Sequence, residues 1–345
     1  MKNCRNVILR DFTVYHGGHF AILATGVDNF TLDGLKIDTN RDGMDIDCCR
    51  NVQIANCSVN SPYDDGICLK SCFGLGYKRA CENIAIANCH VSGYDEGTLL
   101  DGTCQRTAGK FSPTGRIKFG TEANGGFKNI AIANCTFDYC RGLALEEVDG
   151  GWMEDITVTN LTMRDIQNSA IYIRLGNRAR GPDQPSVGVA RRINLSNIVA
   201  SNVDPRFSSI IAGTPGHPIE DLALSNIRIL YRGGGTKEDA AIDPSDNEKD
   251  YPEPSRHGIM PAYGFFVRHV KGLSVHHLAV SVMQPDARPA FVLDDVVNAD
   301  FDHIQAQRPA DGPLIVLKNV TDFAVHNSRD LPETHRPEHI ESDRL

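Results

Sequence analysis

The sequence lacks the features of a membrane protein and of a nucleic-acid-binding protein. It contains no run of 18 apolar residues, so no segment is long enough to span a membrane as a helix. Lys and Arg number 35 against 44 Asp and Glu, and the net charge of −9 offers no basic field for a phosphate backbone. The first six residues also lack the apolar stretch of a signal peptide. We therefore expect neither a membrane nor a nucleic acid as a partner.

Cysteine is absent after residue 140, although the chain contains 11 cysteines. Their spacings match no zinc-binding pattern. Cys57, Cys89 and Cys135 instead close the same phrase, Ile-Ala-Asn-Cys, in successive repeats. Equivalent positions of a repeat stack on one another, so we interpret these three as small apolar side chains in one internal column. Disulfide bonds are the alternative interpretation, and we expect no bound metal and no cofactor.

An internal repeat organises the chain. Its best copies run over residues 51–57, 83–89 and 129–135, and each alternates apolar and polar residues as a strand with one buried face does. At the phase of Asn56, the upstream copies have Asp11 and Gly34, at spacings of 23 and 22 residues. This period is too short for a pair of helices and suits a coil of three short strands. We therefore predict an all-β, right-handed parallel β-helix, which is a solenoid; a β-sandwich is the alternative.

The repeat also predicts how the chain is divided. We assign residues 1–327 to a single β-helix domain, with loop insertions at 94–114 and 232–261, and residues 328–345 to a polar C-terminal tail that is ordered only by docking. The chain opens directly on a repeat at Asn6, and an uncovered β-helix end exposes strand edges. We expect either a shortened N-terminus or a covering segment or subunit, such as a second copy in a homo-oligomer.

An acidic cluster marks one flank of the predicted solenoid. Asp42 and Asp45 lie in one segment and Asp64 and Asp65 in another, and Asp42 precedes Asp64 by 22 residues, one full coil. Adjacent coils are separated by about 4.8 Å, so these carboxylates are expected to lie close together. Such crowding raises the pKa of some carboxyls and lets one site hold both an acid and a base. A turn role for each Asp and a calcium site are the alternatives.

The alternation around the cluster predicts which side chains face outward. Met44 and Ile46 are expected to fill the core, and Asp45 and Asp47 are expected to point to solvent.

The segment 40–45, Asn-Arg-Asp-Gly-Met-Asp, resembles the Asn-Thr-Asp-Gly-x-Asp segment of the polygalacturonases and rhamnogalacturonases of glycoside hydrolase family 28, with Arg41 in place of Thr. The pair at 64–65 resembles the Asp-Asp pair of that family, at a spacing of about one coil. The resemblance implies an enzyme that is secreted or periplasmic and that hydrolyses a glycosidic bond.

The resemblance also implies roles for these residues. Asp64 would protonate the glycosidic oxygen, and Asp42 and Asp65 would activate the attacking water, with inversion at the anomeric carbon. Inverting glycosidases hold acid and base roughly 6.5–9.5 Å apart to leave room for that water. Asn40 and Asp45, in the same segment, are assigned to substrate binding.

Arg116 and Lys118 are further candidates for substrate binding. They stand in the tripeptide Arg-Ile-Lys, and the family has an Arg-Ile-Lys segment that binds the sugar carboxylate. The flanking residues 119–126 instead resemble the segment directly after the family's Gly-His-Gly, and in that alignment Arg116 replaces the His. In both alignments the two residues lie on the coil after the acidic cluster, because 94–114 is a loop insertion.

A column of outward positions extends this candidate site. Lys118 is followed by Ala144 and Tyr172 in the next coils, and Arg174 lies beside Tyr172. A tyrosine ring stacks on a sugar and a guanidinium binds a carboxylate, so Tyr172 and Arg174 are assigned to substrate binding. Ordinary surface positions on a solvated strand are the alternative.

The leading hypothesis is a glycoside hydrolase whose partner is a carbohydrate, either a pectic or a related uronic-acid-containing poly- or oligosaccharide. A second hypothesis is a polysaccharide lyase on the same scaffold, which uses calcium. A third is a β-helix that binds carbohydrate without catalysis.

Overall fold

A computed structural model describes residues 1–108 and 112–345. The helical segments are α1 (Lys237–Ala240) and a 3₁₀ turn at Pro254–His257. The strands, in chain order, are β1 (Arg5–Arg10), β2 (Thr13–Tyr15), β3 (Phe20–Thr25), β4 (Asp28–Asp33), β5 (Lys36–Asp38), β6 (Asp42–Asp47), β7 (Arg50–Ala55), β8 (Ser58–Asn60), β9 (Ile67–Ser71), β10 (Cys81–Ala87), β11 (His90–Ser92), β12 (Ile117–Ala123), β13 (Phe127–Asp138), β14 (Leu143–Glu147), β15 (Trp152–Arg164), β16 (Ile171–Leu175), β17 (Val189–Val203), β18 (Ser209–Ala212), β19 (Ile219–Gly233), β20 (Phe265–Gln284), β21 (Phe291–Asp302), β22 (Gln305–Ala306), β23 (Ile315–His326) and β24 (Thr334–Arg344).

Each coil of the chain adds one strand to each of three parallel faces, so the fold is a right-handed parallel β-helix, as the repeat predicted. Sheet 1 contains β3, β6, β9, β12, β14, β16 and β18 and continues into the first residues of β20. Sheet 2 begins with β1, β4, β7 and β10. Sheet 3 begins with β2, β5, β8 and β11. From β13 onward, most strands turn the corner between sheets 2 and 3 without a break.

The core is a column of stacked apolar residues, one layer per coil. In sheet 1, Met44 pairs with Ile22 on the preceding coil and with Ile67 on the next, and both Met44 and Ile46 are fully buried, as predicted. Cys57, Cys89 and Cys135 are at most 2% exposed and belong to the same core cluster. The interpretation of these cysteines as small apolar side chains is therefore confirmed, and all 11 cysteines are free thiols.

The recurring asparagines occupy the turn between sheets 2 and 3. Asn56, Asn88, Asn134 and Asn160 have positive φ values of 55–57°, a conformation that Asn tolerates well. The side-chain amides of the last three donate to the side-chain oxygen of the equivalent Asn one coil earlier, at 2.9–3.3 Å. This ladder satisfies the amides along the stack and keeps the coils in register.

The predicted loop insertion at 232–261 lies along the outer surface of sheet 1. Beneath it is a second apolar cluster, separate from the solenoid core, to which the loop contributes Met260. Sheet 1 contributes outward-facing side chains to this cluster, among them Tyr172, Ile210 and Phe266. The loop therefore covers the part of sheet 1 formed by β14, β16 and β18.

The other predicted insertion, 94–114, includes residues 109–111, which lie outside the described residues. Its first part is held by Asp38, whose carboxylate accepts hydrogen bonds from the backbone amides of Gly97, Leu99 and Leu100 at 2.8–3.1 Å.

The C-terminal segment differs from the predicted polar tail. Residues 334–344 form β24, which pairs antiparallel with β23, and Ile340 faces Val320 in the core cluster. The strand escaped prediction because ten of its 11 positions are exposed or half-buried, so its apolar alternation is weak. It supplies hydrogen-bond partners to the last coil and covers the edge of β23.

At the opposite end, the first coil displays apolar side chains. Ile8 and Tyr15 are 65% and 55% exposed. That another segment or subunit covers this end stays a prediction. Among the described residues, no helix has the length and apolar character required to cross a membrane.

Candidate active site

Two Asp-Gly turns place the acidic cluster at the start of adjacent strands of sheet 1. Gly43 follows Asp42 at the start of β6, and Gly66 follows Asp65 just before β9. A Cβ atom on Gly43 would collide with the carbonyl oxygen of Gly66. Glycine is thus required for the backbones to approach this closely, and the approach brings Asp42 beside Asp65.

The structure brings Asp42, Asp64 and Asp65 together. One carboxylate oxygen of each lies within 4.8 Å of one oxygen of both others. Asp42 and Asp65 are buried, whereas the side chain of Asp64 is 28% exposed and pairs with Arg41 at 2.7 Å. Asp64 is therefore the most accessible carboxyl of the three.

The environments of Asp42 and Asp65 drive their pKa values apart. Burial raises the pKa of Asp42 to about 8, and the nearby carboxylate of Asp45 adds to this effect. Burial acts on Asp65 in the same direction, but Lys118 and Arg116 outweigh it and lower the pKa of Asp65 to about 2. At neutral pH the cluster thus holds a proton on Asp42 and a charge on Asp65.

Asp45 does not point to solvent as predicted. It is 1% exposed, and its carboxylate pairs with Lys70 at 2.7 Å. Asp47 is also buried, where it accepts a hydrogen bond from the backbone amide of Cys72 at 2.9 Å. Both face away from the core, but the alternation does not reveal that neighbouring side chains and residues 72–79 cover that surface.

The second predicted residue of this segment, Asn40, is half-buried at the end of the turn before β6. Its side-chain oxygen is buried without a hydrogen-bond partner among the described residues. Its backbone oxygen accepts a hydrogen bond from the amide of Tyr63 at 2.9 Å, which ties the two Asp-bearing turns together.

Arg116 and Lys118 lie on β12 or directly before it, on the coil after the acidic cluster, as predicted. Both are at most 2% exposed, and both contact Asp65. Arg116 donates from Nε to Asp65 at 2.9 Å and from Nη2 to Glu253 of the loop. Arg116 is therefore engaged by protein carboxylates and not available to a sugar, whereas Lys118 still borders the cleft.

Tyr172 and Arg174 follow Lys118 and Ala144 along the predicted column, but they are not at the surface. Tyr172 is 1% exposed, with its hydroxyl 3.3 Å from Nε2 of His257. Arg174 donates to the backbone oxygen of Asp246 at 2.6 Å. Since their partners belong to loop 232–261, they hold the loop against sheet 1, and we do not retain them as sugar contacts.

A small polar cleft of about 160 Å³ opens beside the acidic cluster. Besides the three carboxyls, it is lined by Lys70 and Tyr251, which the sequence did not single out. Tyr251 is 42% exposed, and its hydroxyl lies 2.9 Å from that of Thr121. The repeat could have identified Lys70, because it pairs in register with Asp47 on the preceding coil. Tyr251 could not be predicted in this way, because it lies in a loop without periodicity.

Comparisons with known proteins agree with this fold. A family model for a right-handed β-helix region matches residues 1–105. No curated protein matches the chain. A similar solved structure is a hyperthermoactive exopolygalacturonase from Thermotoga maritima, with 17% sequence identity, a TM-score of 0.56, and coverage of 81% of this chain and 53% of that chain.

Two further solved structures resemble the chain less closely. The family 28 exopolygalacturonase of Yersinia enterocolitica has 13% identity and a TM-score of 0.44 and covers 96% of this chain and 45% of that chain. A mutant tailspike protein of E. coli bacteriophage HK620, in complex with a pentasaccharide, has 9% identity and a TM-score of 0.47. The match covers 86% of this chain and 47% of that chain. The chain spans about half the length of these structures and of the Thermotoga exopolygalacturonase.

Proposed function

We propose that this protein is a glycoside hydrolase that cleaves a pectic or related uronic-acid-containing saccharide with inversion at the anomeric carbon. The observation that carries the proposal is the meeting of Asp42, Asp64 and Asp65, whose oxygens lie within 4.8 Å of one another, where burial raises the pKa of Asp42 and Lys118 and Arg116 lower that of Asp65. Two carboxyls in opposite states are what acid–base hydrolysis of a glycoside requires.

The accessible Asp64 is assigned as the acid that protonates the leaving oxygen. A water molecule between the two side chains would carry the proton of Asp42 to Asp64, whose nearest oxygens lie within 4.8 Å of each other, and this leaves Asp42 ionised beside Asp65. These two carboxylates then accept hydrogen bonds from the attacking water and take its proton as the bond breaks. The cluster ends with the one proton with which it began, so charge and atoms balance.

The cations around the cluster favour an anionic sugar. Arg41, Lys70 and Lys118 border the cleft, as does Glu122. Each of the three cations pairs with an aspartate of the protein, and Arg41, whose side chain is 46% exposed, is the most accessible of them. A uronate carboxylate suits such a group of donors. The same cations disfavour a calcium ion among the three aspartates, so the hydrolase is preferred to the calcium-dependent lyase. Tyr251 lines the cleft and is 42% exposed, so its ring can contact a bound sugar.

The anomeric outcome tests this mechanism. Pectic oligosaccharides cleaved by the protein should release a product whose first detectable anomer, followed by proton NMR, is inverted relative to the substrate. Retention would overturn the inverting mechanism. The nearest carboxylate oxygens lie within 4.8 Å of one another, which is closer to the about 5–5.5 Å between the carboxyl groups of retaining enzymes than to the roughly 6.5–9.5 Å of inverting ones. The separation by itself therefore favours retention, and the proposal of inversion rests on the resemblance of the Asp-Gly-x-Asp and Asp-Asp segments.

We further propose that cleavage starts from a chain end. Loop 232–261 covers sheet 1 beyond β12, so a polysaccharide cannot continue along that face past Tyr251. We expect chromatography of early products to show one short product from oligosaccharides of every length. A ladder of intermediate sizes at early times would contradict end-wise action without contradicting hydrolysis.

A further inference from the structure

We propose that Glu253, in loop 232–261, is a positioning residue for the catalytic carboxylate Asp65 and acts on it through Arg116. This inference rests on the proposed function and deepens it, since it makes docking of the loop a condition for a correctly placed base. Glu253 is 137 residues from Arg116 in the chain and belongs to no motif of the sequence.

Arg116 connects the loop to the active site. Its guanidinium is 1% exposed and donates from Nε to Asp65 and from Nη2 to Glu253. Glu253 is also buried, and the same oxygen accepts a second hydrogen bond from Nη1 of Arg141 at 2.8 Å. Glu253 of the loop therefore fixes the guanidinium of Arg116 at Nη2, and Nε of the same guanidinium fixes the carboxylate of Asp65.

A competing carboxylate explains why Arg116 needs this restraint. Glu146 lies on the next coil, is fully buried, and has an oxygen 3.8 Å from Nη2 of Arg116. Neither of its side-chain oxygens has a hydrogen-bond partner among the described residues. Burial raises the pKa of Glu146 to about 7, so a hydrogen bond from a guanidinium would stabilise its charged form. Without Glu253, we expect Arg116 to turn toward Glu146 and to leave Asp65.

The departure of Arg116 would change both the pKa and the orientation of Asp65. Burial acts to raise the pKa of Asp65, and Lys118 and Arg116 together hold it at about 2. Loss of the Arg116 contact therefore moves this pKa upward and frees the carboxylate to rotate away from the attacking water.

The adjoining contacts make the loop a single docked unit. Tyr251, two residues before Glu253, has its hydroxyl 3.4 Å from Nζ of Lys118, the other cation that faces Asp65. His257, four residues after Glu253, contacts Tyr172. The charged network around Asp65 comprises three cations and three carboxyl groups, of which the loop contributes one carboxyl group, that of Glu253: Arg116, Lys118, Arg141, Asp65, Glu146 and Glu253.

The test is the pH profile of kcat/KM for Glu253→Gln on a pectic oligosaccharide. We expect kcat to fall by about 10- to 100-fold, with a smaller change in KM, because a small misplacement of a catalytic group costs this much. We also expect the acidic limb of the profile to move to higher pH. Simple removal of a negative charge would move that limb to lower pH. An acidic limb that stays in place or moves to lower pH, together with a wild-type kcat, would overturn the proposal.

Matched variants separate this inference from the proposed function. Glu248→Gln changes another carboxylate of the same loop. Glu248 contacts Asn177 through its backbone oxygen and not through its side chain, so this variant should behave as wild type. Asp65→Asn should abolish activity. If Asp65→Asn is inactive while Glu253→Gln matches wild type, the inference fails and the hydrolase stands. If Asp65→Asn is fully active, the proposed function fails.

Should Glu253→Gln fail to fold, Arg141→Gln provides the second measurement. Arg141 is 25% exposed and holds the same Glu253 oxygen, so its loss loosens Glu253 without removing the Arg116 pair. We expect a smaller shift of the acidic limb in the same direction. A wild-type profile in a folded Arg141→Gln protein would overturn the proposal.

Discussion

Asp64→Asn should reduce the rate of glycosidic bond cleavage by about 100- to 10,000-fold, the usual contribution of a positioned general acid. The change removes the proton that the leaving oxygen requires and keeps the size of the side chain. The deficit should shrink on an aryl glycoside with an acidic phenol as the leaving group, because such a group departs without protonation. Initial rates on both substrates measure the effect.

Asp322→Asn is the matched control for this experiment. Asp322 lies on β23, outside the cleft, and its φ of 57° is one that Asn adopts readily, so the variant should keep full activity. Wild-type rates of the Asp64→Asn variant would contradict the assignment of Asp64 as the general acid. A wild-type protein that binds pectic sugars without cleaving any of them, with binding unchanged in the variant, would favour the non-catalytic β-helix.

Asp42→Asn should stabilise the fold at pH 8 while it abolishes activity. The pKa of Asp42 rises from 3.8 to about 8 on folding, because burial and neighbouring carboxylates disfavour its charge. The folded protein therefore keeps a proton that the unfolded chain releases above about pH 4. By linkage, Asp42 costs stability progressively as pH rises from about 4 to 8, and the cost is constant above that range.

A neutral amide at position 42 avoids this cost. We expect the unfolding free energy from urea titrations to exceed that of the wild type by on the order of 2 to 4 kcal/mol at pH 8, and by nearly nothing at pH 4. A variant less stable than the wild type at pH 8, or a difference independent of pH, would contradict the assignment of a buried, protonated Asp42. The activity loss follows from removal of one of the two groups that activate water.

The sequence could predict much of the acidic cluster because that part of the candidate site is periodic. A spacing of 22 residues places Asp42 and Asp64 on adjacent coils, and the ladder of Asn56, Asn88 and Asn134 keeps those coils aligned. Burial was harder to predict. Asp45 lies at an outward-facing position, yet it is covered and paired with Lys70, because the alternation of a strand reports direction and not what lies above it.

The residues assigned to substrate binding were predicted less well, because the strand pattern does not report what covers a side chain. Arg116 and Lys118 were assigned to the correct coil, but the sequence did not show that Glu253 would occupy Arg116. Tyr172 was expected at the surface and instead lies under the loop. A loop without a repeat has no register, so its path is set only by the charges and apolar side chains that it meets.

The internal repeat of the sequence was sufficient for one conclusion: the chain forms a β-helix on which three aspartates meet. A short period forces equivalent residues to stack, so the fold and the acidic cluster follow from the order of residues alone. Contacts between distant segments decide three further features: the carboxyl that keeps its proton, the cations that pair with protein carboxylates, and the end of the cleft. Those contacts are decided by burial and by charge pairing across more than 100 residues of chain, as between Arg116 and Glu253, and only the tertiary structure contains them.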